Sequence, residues 1–355
     1  MNTIRDQAYK LGCGRLLFEH GAIAKLGDEA KRLGSRPLVI CGKNAHESLG
    51  SRIRSILESA RLPCQMSVCT EACSEEIGRT YAQRMQDEGL DLIIGVGGGR
   101  IMDLAKIIAD IAGVPVATVP AISATCAAYT PLSVVYTPDG CCRGTWYFQW
   151  EVALVVCDLD ILCTQHPRYL AAGMVDAIAK HVEIKHHLSS LPAGRQDVLI
   201  AQQLARTIYD DLFALGAAAG ENLHSDAAVR CIFHAIVTTG LVSGIARGMY
   251  QSAIGHAFYE VIRSLYHQES KPWLHGEVVG VGLRLQELYG GYTEEEAQLA
   301  ALMARLNMPL TLMEIAVPAN EDAPARIAGH SPLPSFFLHP DEDEARVCQI
   351  LRTIR

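Results

Sequence analysis

Apolar and polar positions follow two different rhythms in the two halves of the chain. In the first half, short apolar runs alternate with amphipathic stretches. Pro37-Leu-Val-Ile-Cys41, Gln65 to Cys69, Asp91-Leu-Ile-Ile-Gly-Val96 and Val114 to Val119 read as strands. Residues 46–60, 74–88 and 101–111 read as the helices between them. Strands that are apolar on both faces and alternate with helices belong to a parallel sheet covered on both sides. This predicts a doubly wound, Rossmann-like α/β domain. Asp139-Gly140 reads as a turn between two short strands. From about residue 168 the period changes to that of helices, at 168–188, 195–215, 225–244, 275–289 and 293–306. The boundary is placed near 160, giving an α/β domain over 1–160 and an all-helical domain over 161–355.

Two features of this frame carry chemistry. Gly97-Gly98-Gly99-Arg100-Ile101-Met-Asp103 leaves a buried strand and opens a helix. Glycines allow a sharp turn and close approach of a ligand, and the helix N-terminus presents free N–H groups to a phosphate. Arg100 breaks the usual dinucleotide fingerprint, and no Gly-Lys-Ser/Thr follows to make a nucleotide triphosphate loop. In the helical half, Asp176, His256 and His275 offer one carboxylate and two imidazoles, a set suited to zinc or iron(II) with a position left for a substrate oxygen. The chain has 13 histidines, and His181, His186 and His187 are rivals on the basis of helical spacing from Asp176.

Composition narrows the partners. At 355 residues and 49% hydrophobic, the chain has material for two cores. A net charge of −8 without a basic run argues against nucleic acid and acidic membranes. The N-terminal MNTIRDQAYKLGCG has no apolar core for a signal peptide, and the apolar stretch 107–119 is broken by Asp110 and Gly113. A soluble, cytoplasmic protein is expected. Its twelve scattered cysteines contain no Cys-x-x-Cys pair and read as reduced thiols, mostly small core residues.

The residues resemble the iron-containing alcohol dehydrogenase superfamily, in its glycerol-dehydrogenase-like branch, over nearly the whole chain. The resemblance rests on Gly95-Val-Gly-Gly-Gly-Arg-Ile-Met-Asp-Leu-Ala-Lys106 and on Val119-Pro120 to Pro131-Leu-Ser-Val-Val-Tyr136. Asp176 and the Leu274-His275-Gly276 run also stand at the expected places. It implies a dehydroquinate-synthase-like, glycerol-dehydrogenase-like fold, with an NAD(P)(H) cofactor in a cleft between the domains. The pyrophosphate is implied on Gly97, Gly98, Gly99 and the helix start (Arg100, Ile101, Asp103). The nicotinamide is implied against loop 121–136, including Ala121, Ile122, Ser123 and Ala124, with Thr130, Leu132 and Tyr136 at cofactor-contacting positions. Asp176, His256 and His275 match the ligands of one divalent metal, zinc or iron, and thus the catalytic centre. Lys180 stands where the three-histidine branch would carry His, which favours a three-ligand site. The family usually forms homo-oligomers, and a small-molecule substrate is implied.

The departures bear on the substrate. Glycerol dehydrogenases carry Ser-Thr-Asp in the nicotinamide loop, where this chain has Ala124-Thr125-Cys126. The run Thr125 to Ser133 looks instead like a subgroup that reduces 2-oxo acids, which makes Cys126 a substrate-site residue. A pocket without that carboxylate suits an anion, and Arg143, Arg247 or Lys271 could pair with it. A 2-oxo acid/2-hydroxy acid pair is therefore the expected substrate. Glycerol or another diol is the alternative, followed by a cyclase or lyase of the dehydroquinate synthase type or a non-catalytic relative. Tyr259 replaces a His found in many relatives, and the interval from His256 to His275 is long. Gly42 and Lys43 follow the strand ending at Cys41, where NAD-preferring relatives place an Asp for the ribose hydroxyls. Without that carboxylate, and with an ammonium nearby, NADP(H) is expected to be accepted and preferred.

Overall fold

The computed structural model describes residues 8–137, 142–247, 250–318 and 322–355. It divides into two compact units, 1–165 with 243–247, and 166–242 with 248–355. The Asp139-Gly140 turn lies outside the described residues.

The first unit is built on a six-stranded, all-parallel sheet. Its strands are β1 (Cys13–Glu19), β2 (Pro37–Cys41), β3 (Gln65–Val68), β4 (Leu92–Gly97), β5 (Val116–Pro120) and β8 (Val152–Asp158), in spatial order β1-β8-β5-β4-β2-β3. Every residue of β2, β4 and β5 is buried, as their apolar runs require of a sheet covered on both faces. The crossover helices are α1 (Lys43–Ser59), α2 (Glu75–Glu88) and α3 (Gly99–Ala112). The four predicted strands and three predicted helices are present; β1 and β8, which pair with one another, are additional. Strand order reverses between β2 and β4, so the loops at Gly42 and Gly97 lie side by side at the carboxyl edge, with Gly42 N–H donating to Val96 O at 3.2 Å. In open parallel sheets such a switch point is where ligands bind. A separate antiparallel pair, β6 (Leu132–Tyr136) and β7 (Cys142–Tyr147), completes the unit.

The second unit carries no strand among its described residues. Its main helices are α4 (Pro167–His187), α5 (Gln196–Glu221), α6 (Asp226–Phe233, continued helically to Ile245), α7 (Ile254–Leu265), α8 (His275–Gly290), α9 (Thr293–Arg305) and α10 (Pro340–Thr353). The periodicity anticipates α4, α5, α6, α8 and α9, and misses α7 and α10. Asp226–Ile245 is long and apolar enough to cross a membrane, but 67% of its apolar window is buried, as in a core helix. The eleven described cysteines are free thiols and mostly buried; burial pushes Cys41 up to about 11, which makes it a packing residue rather than a nucleophile.

One buried ion pair fixes the segment that follows the glycine loop. Lys106 on α3 is only 1% exposed; its Nζ lies 3.1 Å from Asp103 Oδ1 and donates to Thr130 O at 3.0 Å and to Leu132 O. Burial raises the Asp103 carboxyl, and Lys106 offsets this only in part. Asp103 Oδ2 also accepts from Val134 N–H at 3.4 Å, and its carbonyl accepts from the Ser133 hydroxyl at 2.9 Å. The pair thus ties α3 to β6 and to the end of loop 121–130. Lys106→Met leaves a buried carboxylate and two carbonyls unpaired, and should cost about 3–5 kcal/mol in urea denaturation. Adding Asp103→Asn should recover about 1 kcal/mol or more, because the two groups are coupled. A single variant within about 0.5 kcal/mol of wild type contradicts this role.

Candidate metal centre and dinucleotide loop

The glycine loop is shaped by close approaches. Gly97 has φ 147°, a left-handed conformation that other residues rarely adopt. A Cβ at Gly98 would stand 3.0 Å from Ile122 Cδ1, and one at Gly99 would stand 2.8 Å from Thr125 Oγ1. The loop therefore packs directly on residues 122–125, and Ala121 N–H donates to Gly97 O at 2.9 Å. Gly98 is the N-cap of α3, and no side chain caps the helix. Ile101 and Met102 N–H already donate to Gly98 O at 2.9 and 3.2 Å, so the Gly99 and Arg100 N–H groups are the ones available to an anion.

The other residues expected at the cofactor divide into two groups. Gly42, Gly97, Gly98, Gly99, Ala121 and Ile122 come together at the switch point, and Ile101 is buried beneath Gly42 and Gly97. Lys43 is exposed as the first residue of α1. Arg100 turns its guanidinium to the end of β3, donating to Cys69 O at 2.9 Å and to Glu71 O. Ser123 is buried, with its hydroxyl and amide bonded at 2.8 Å to the Gln165 side chain. Ala124 and Cys126 are buried, and Cys126 O accepts from the Thr130 hydroxyl at 3.2 Å. Asp103, Thr130 and Leu132 belong to the Lys106 network, and Tyr136 N–H donates to Cys73 O at 2.8 Å. These contacts give Asp103 and Arg100 structural work for their side chains, leaving their backbone at the helix start.

The second unit brings Asp176, His256 and His275 together from three helices. Asp176 lies in the middle of α4, His256 in the first turn of α7 and His275 at the start of α8. One ligand atom from each lies within 4.8 Å of the others. Asp176 Oδ1 is 3.5 Å from His256 Nε2 and 3.3 Å from His275 Nε2. Two ligands about 2.1 Å from a tetrahedral ion stand about 3.4 Å apart, so the spacing fits a divalent metal. Asp176 Oδ1 is also buried without a hydrogen-bond partner. A buried carboxylate oxygen needs a proton donor or a cation. The residues present fit the ion.

Local packing explains why these positions converge. A Cβ at Gly276 would lie 1.9 Å from Ala172 O, so only glycine lets α8 begin against α4 one turn before Asp176. Arg168, in the first turn of α4, grips Glu277 through Nε and Nη2 at 2.5 and 2.7 Å. Glu277 in turn accepts from Leu274 N–H at 2.7 Å, which fixes the first turn of α8 and therefore His275. Gln286 of α8 accepts from Gly255 N–H and donates to Val182 O, both at 3.0 Å, joining α8 to α7 and α4.

Sequence reasoning passed over Glu183, which is fully buried. Its Oε2 bonds His256 Nδ1, while Oε1 accepts from the N–H groups of Ala253 and His256, each at 2.8 Å. The carboxylate thus caps the N-terminus of α7 and leaves His256 Nε2 as the ligand atom. The detectable signal was spacing, since Asp176, Lys180 and Glu183 share one face of an otherwise apolar helix. Burial alone would lower the His256 pKa, but Glu183 and Asp176 outweigh it and raise it to about 9. Burial likewise acts to raise Asp176, and the His275, His256 and Lys180 charges hold it well below the usual carboxylate range. His275 is lowered by burial, which Asp176 only partly offsets.

The rival histidines are engaged elsewhere. His181 Nδ1 faces Gln202 Nε2 at 3.1 Å, His186 Nε2 meets Phe336 O at 3.0 Å, and His187 Nε2 meets Ser252 O at 2.9 Å. Tyr259 is buried edge-on against His275, with ring centroids 4.3 Å apart, so it walls the ligand without replacing it. The candidate carboxylate partners Arg143 and Lys271 are exposed, and the Arg247 guanidinium stacks on Tyr9 in the first unit.

Residues 13–155 match the family model described as iron-containing alcohol dehydrogenase. The chain is 28% identical to the glycerol dehydrogenase of Thermotoga maritima, over 87% of this chain and 85% of that one. It is 29% identical to hydroxycarboxylate dehydrogenase A of Escherichia coli, over 75% and 74%. Its fold matches the crystal structure of a probable glycerol dehydrogenase from Sinorhizobium meliloti with a TM-score of 0.85 at 20% identity, covering 99% of each chain. Over residues 13–155 the chain thus resembles the iron-containing alcohol dehydrogenase family, and over most of its length it is similar to glycerol and hydroxycarboxylate dehydrogenases.

Proposed function

We propose that the chain is a metal-dependent, NAD(P)-linked dehydrogenase that interconverts a small hydroxy compound and its carbonyl partner. The observation that carries the reading is the convergence of Asp176 Oδ1, His256 Nε2 and His275 Nε2 around a buried oxygen with no other partner. A divalent ion held there supplies a Lewis acid for the reacting oxygen, and a bound nicotinamide supplies or accepts the hydride.

The protein's own residues prepare this chemistry. Glu183 orients His256, and the Arg168–Glu277 pair fixes the turn bearing His275, so the ligand atoms are in place before substrate arrives. The uncapped start of α3, reached through three glycines, offers N–H groups to a pyrophosphate. Two substrate classes fit the comparisons. Vicinal diols are supported by several glycerol dehydrogenases among the relatives, and 2-hydroxy acids by the hydroxycarboxylate dehydrogenase. The second class is also favoured by Cys126, a neutral buried residue in the loop that packs on the glycines.

The reading has two direct checks. Zinc-loaded wild type should hold about one ion per chain, and His275→Ala, folded by circular dichroism, should hold less than about half and lose at least about 100-fold in turnover. A folded variant with full metal and activity contradicts the site. For the dinucleotide, Gly42 leaves no carboxylate against a 2′-phosphate, and Lys43 stands beside it at the start of α1. Wild type should use NADP(H) at least as well as NAD(H), and Lys43→Ala should lower kcat/KM for NADP(H) about tenfold relative to NAD(H). A wild-type preference for NAD(H) that the substitution leaves unchanged refutes this.

A further inference from the structure

Lys180 has a property that no other role on α4 explains. It is only 6% exposed and lies one helical turn after Asp176, yet its ammonium has no hydrogen bond or ion pair among the described residues. It shares one face of α4 with Asp176 and Glu183, beside the candidate metal centre, and its charge acts on Asp176, Glu183, His256 and His275.

The two carboxylates on its own helix face are committed elsewhere. Asp176 turns to the histidines, and the Glu183 oxygens are taken by His256 and by the backbone of α7. A largely buried ammonium with three donors and no acceptor among the described residues calls for one from water or from a bound ligand. Counting charges gives the sign of that partner. A divalent cation and Lys180, set against Asp176 and Glu183 with both imidazoles neutral, leave the site one positive charge. Glu260, on α7, has an exposed surface, but burial of its carboxyl raises its pKa, which disfavours its charged form.

We propose that Lys180 is the residue that receives the substrate's anionic group, so that the site selects carbonyl compounds with a carboxylate on the adjacent carbon. The inference rests on the metal-centre reading above. It names Lys180, where the sequence alone offers Arg143, Arg247 and Lys271. The ammonium donates to one carboxylate oxygen while the neighbouring carbonyl oxygen faces the Asp176–His256–His275 group. A neutral diol or hydroxyketone offers only a hydroxyl to the same donor, which is a weaker acceptor than an ionised oxygen.

Pyruvate and hydroxyacetone are a matched pair for the test, because they differ only by a carboxylate in place of a hydroxymethyl group. With zinc-loaded enzyme and NADPH, Lys180→Met should lower kcat/KM for pyruvate about 10–100-fold and leave that for hydroxyacetone within about threefold. Oxamate, titrated by calorimetry into the zinc-loaded protein, should bind at least about tenfold more weakly to Lys180→Met. Lys180→Arg, which keeps the charge, should retain more pyruvate reduction than the methionine variant. Equal losses for both carbonyls, or unchanged oxamate binding, overturn the assignment while leaving the dehydrogenase reading intact. If wild type binds zinc and reduces neither probe, the functional reading fails and this inference fails with it.

Discussion

A carboxylate buried in a helical core must be answered by positive charge or by N–H donors, and Glu183 meets that demand with a single residue, His256, and the turn that carries it. One of its oxygens takes the amides that open α7, and the other takes the imidazole Nδ1. The backbone and the side chain of His256 are therefore held by the same group. Its Nε2 is left pointing toward Asp176, whose own oxygen would otherwise be orphaned. Around this contact the remaining constraints close in sequence. Gly276 lets α8 approach α4, and Arg168 and Glu277 fix its first turn.

The first unit works by a different principle. Its proposed dinucleotide site is made of backbone, where three glycines and the switch in strand order bring the loops at Gly42, Gly97 and Ala121 together. Side chains there serve mainly to brace the loop. Lys106 and Asp103 do so from below, and Arg100 does so from the end of β3. Backbone N–H groups would give a phosphate a site that depends little on side-chain identity, and on the proposed reading Gly42 and Lys43 are then the positions that discriminate at the ribose.

How much of this was legible in the sequence depends on whether a signal was local. The strands β2 to β5, their helices and the glycine loop follow from short-range periodicity, and the structure carries them at nearly the expected limits. The resemblance implies Asp176, His256 and His275, and the structure brings their ligand atoms together. Pairing of β1 with β8 was not legible, because Leu16 meets Val155 across most of the first unit's length and β1 is only half apolar. Helix α7, short and opened by a small-residue stretch, was missed although His256 stands on it. Glu183 and Lys180 lay in plain view on the face of Asp176, but their meaning depends on what α7 and α8 present to them. His181, His186 and His187 could be set aside only once their partners were seen.

The claim that everything in the second unit turns on is that Glu183 holds His256 as a metal ligand. Titrating zinc into metal-stripped wild-type protein and into Glu183→Gln tests it most directly, with the affinity read against a fluorescent chelator at fixed pH. The amide can keep part of the geometry but loses the charge that orients the imidazole. The account predicts about one tight site per chain in the wild type, weakened about 10–100-fold in the variant without loss of helical content. Equal zinc affinity in a folded Glu183→Gln protein would contradict it.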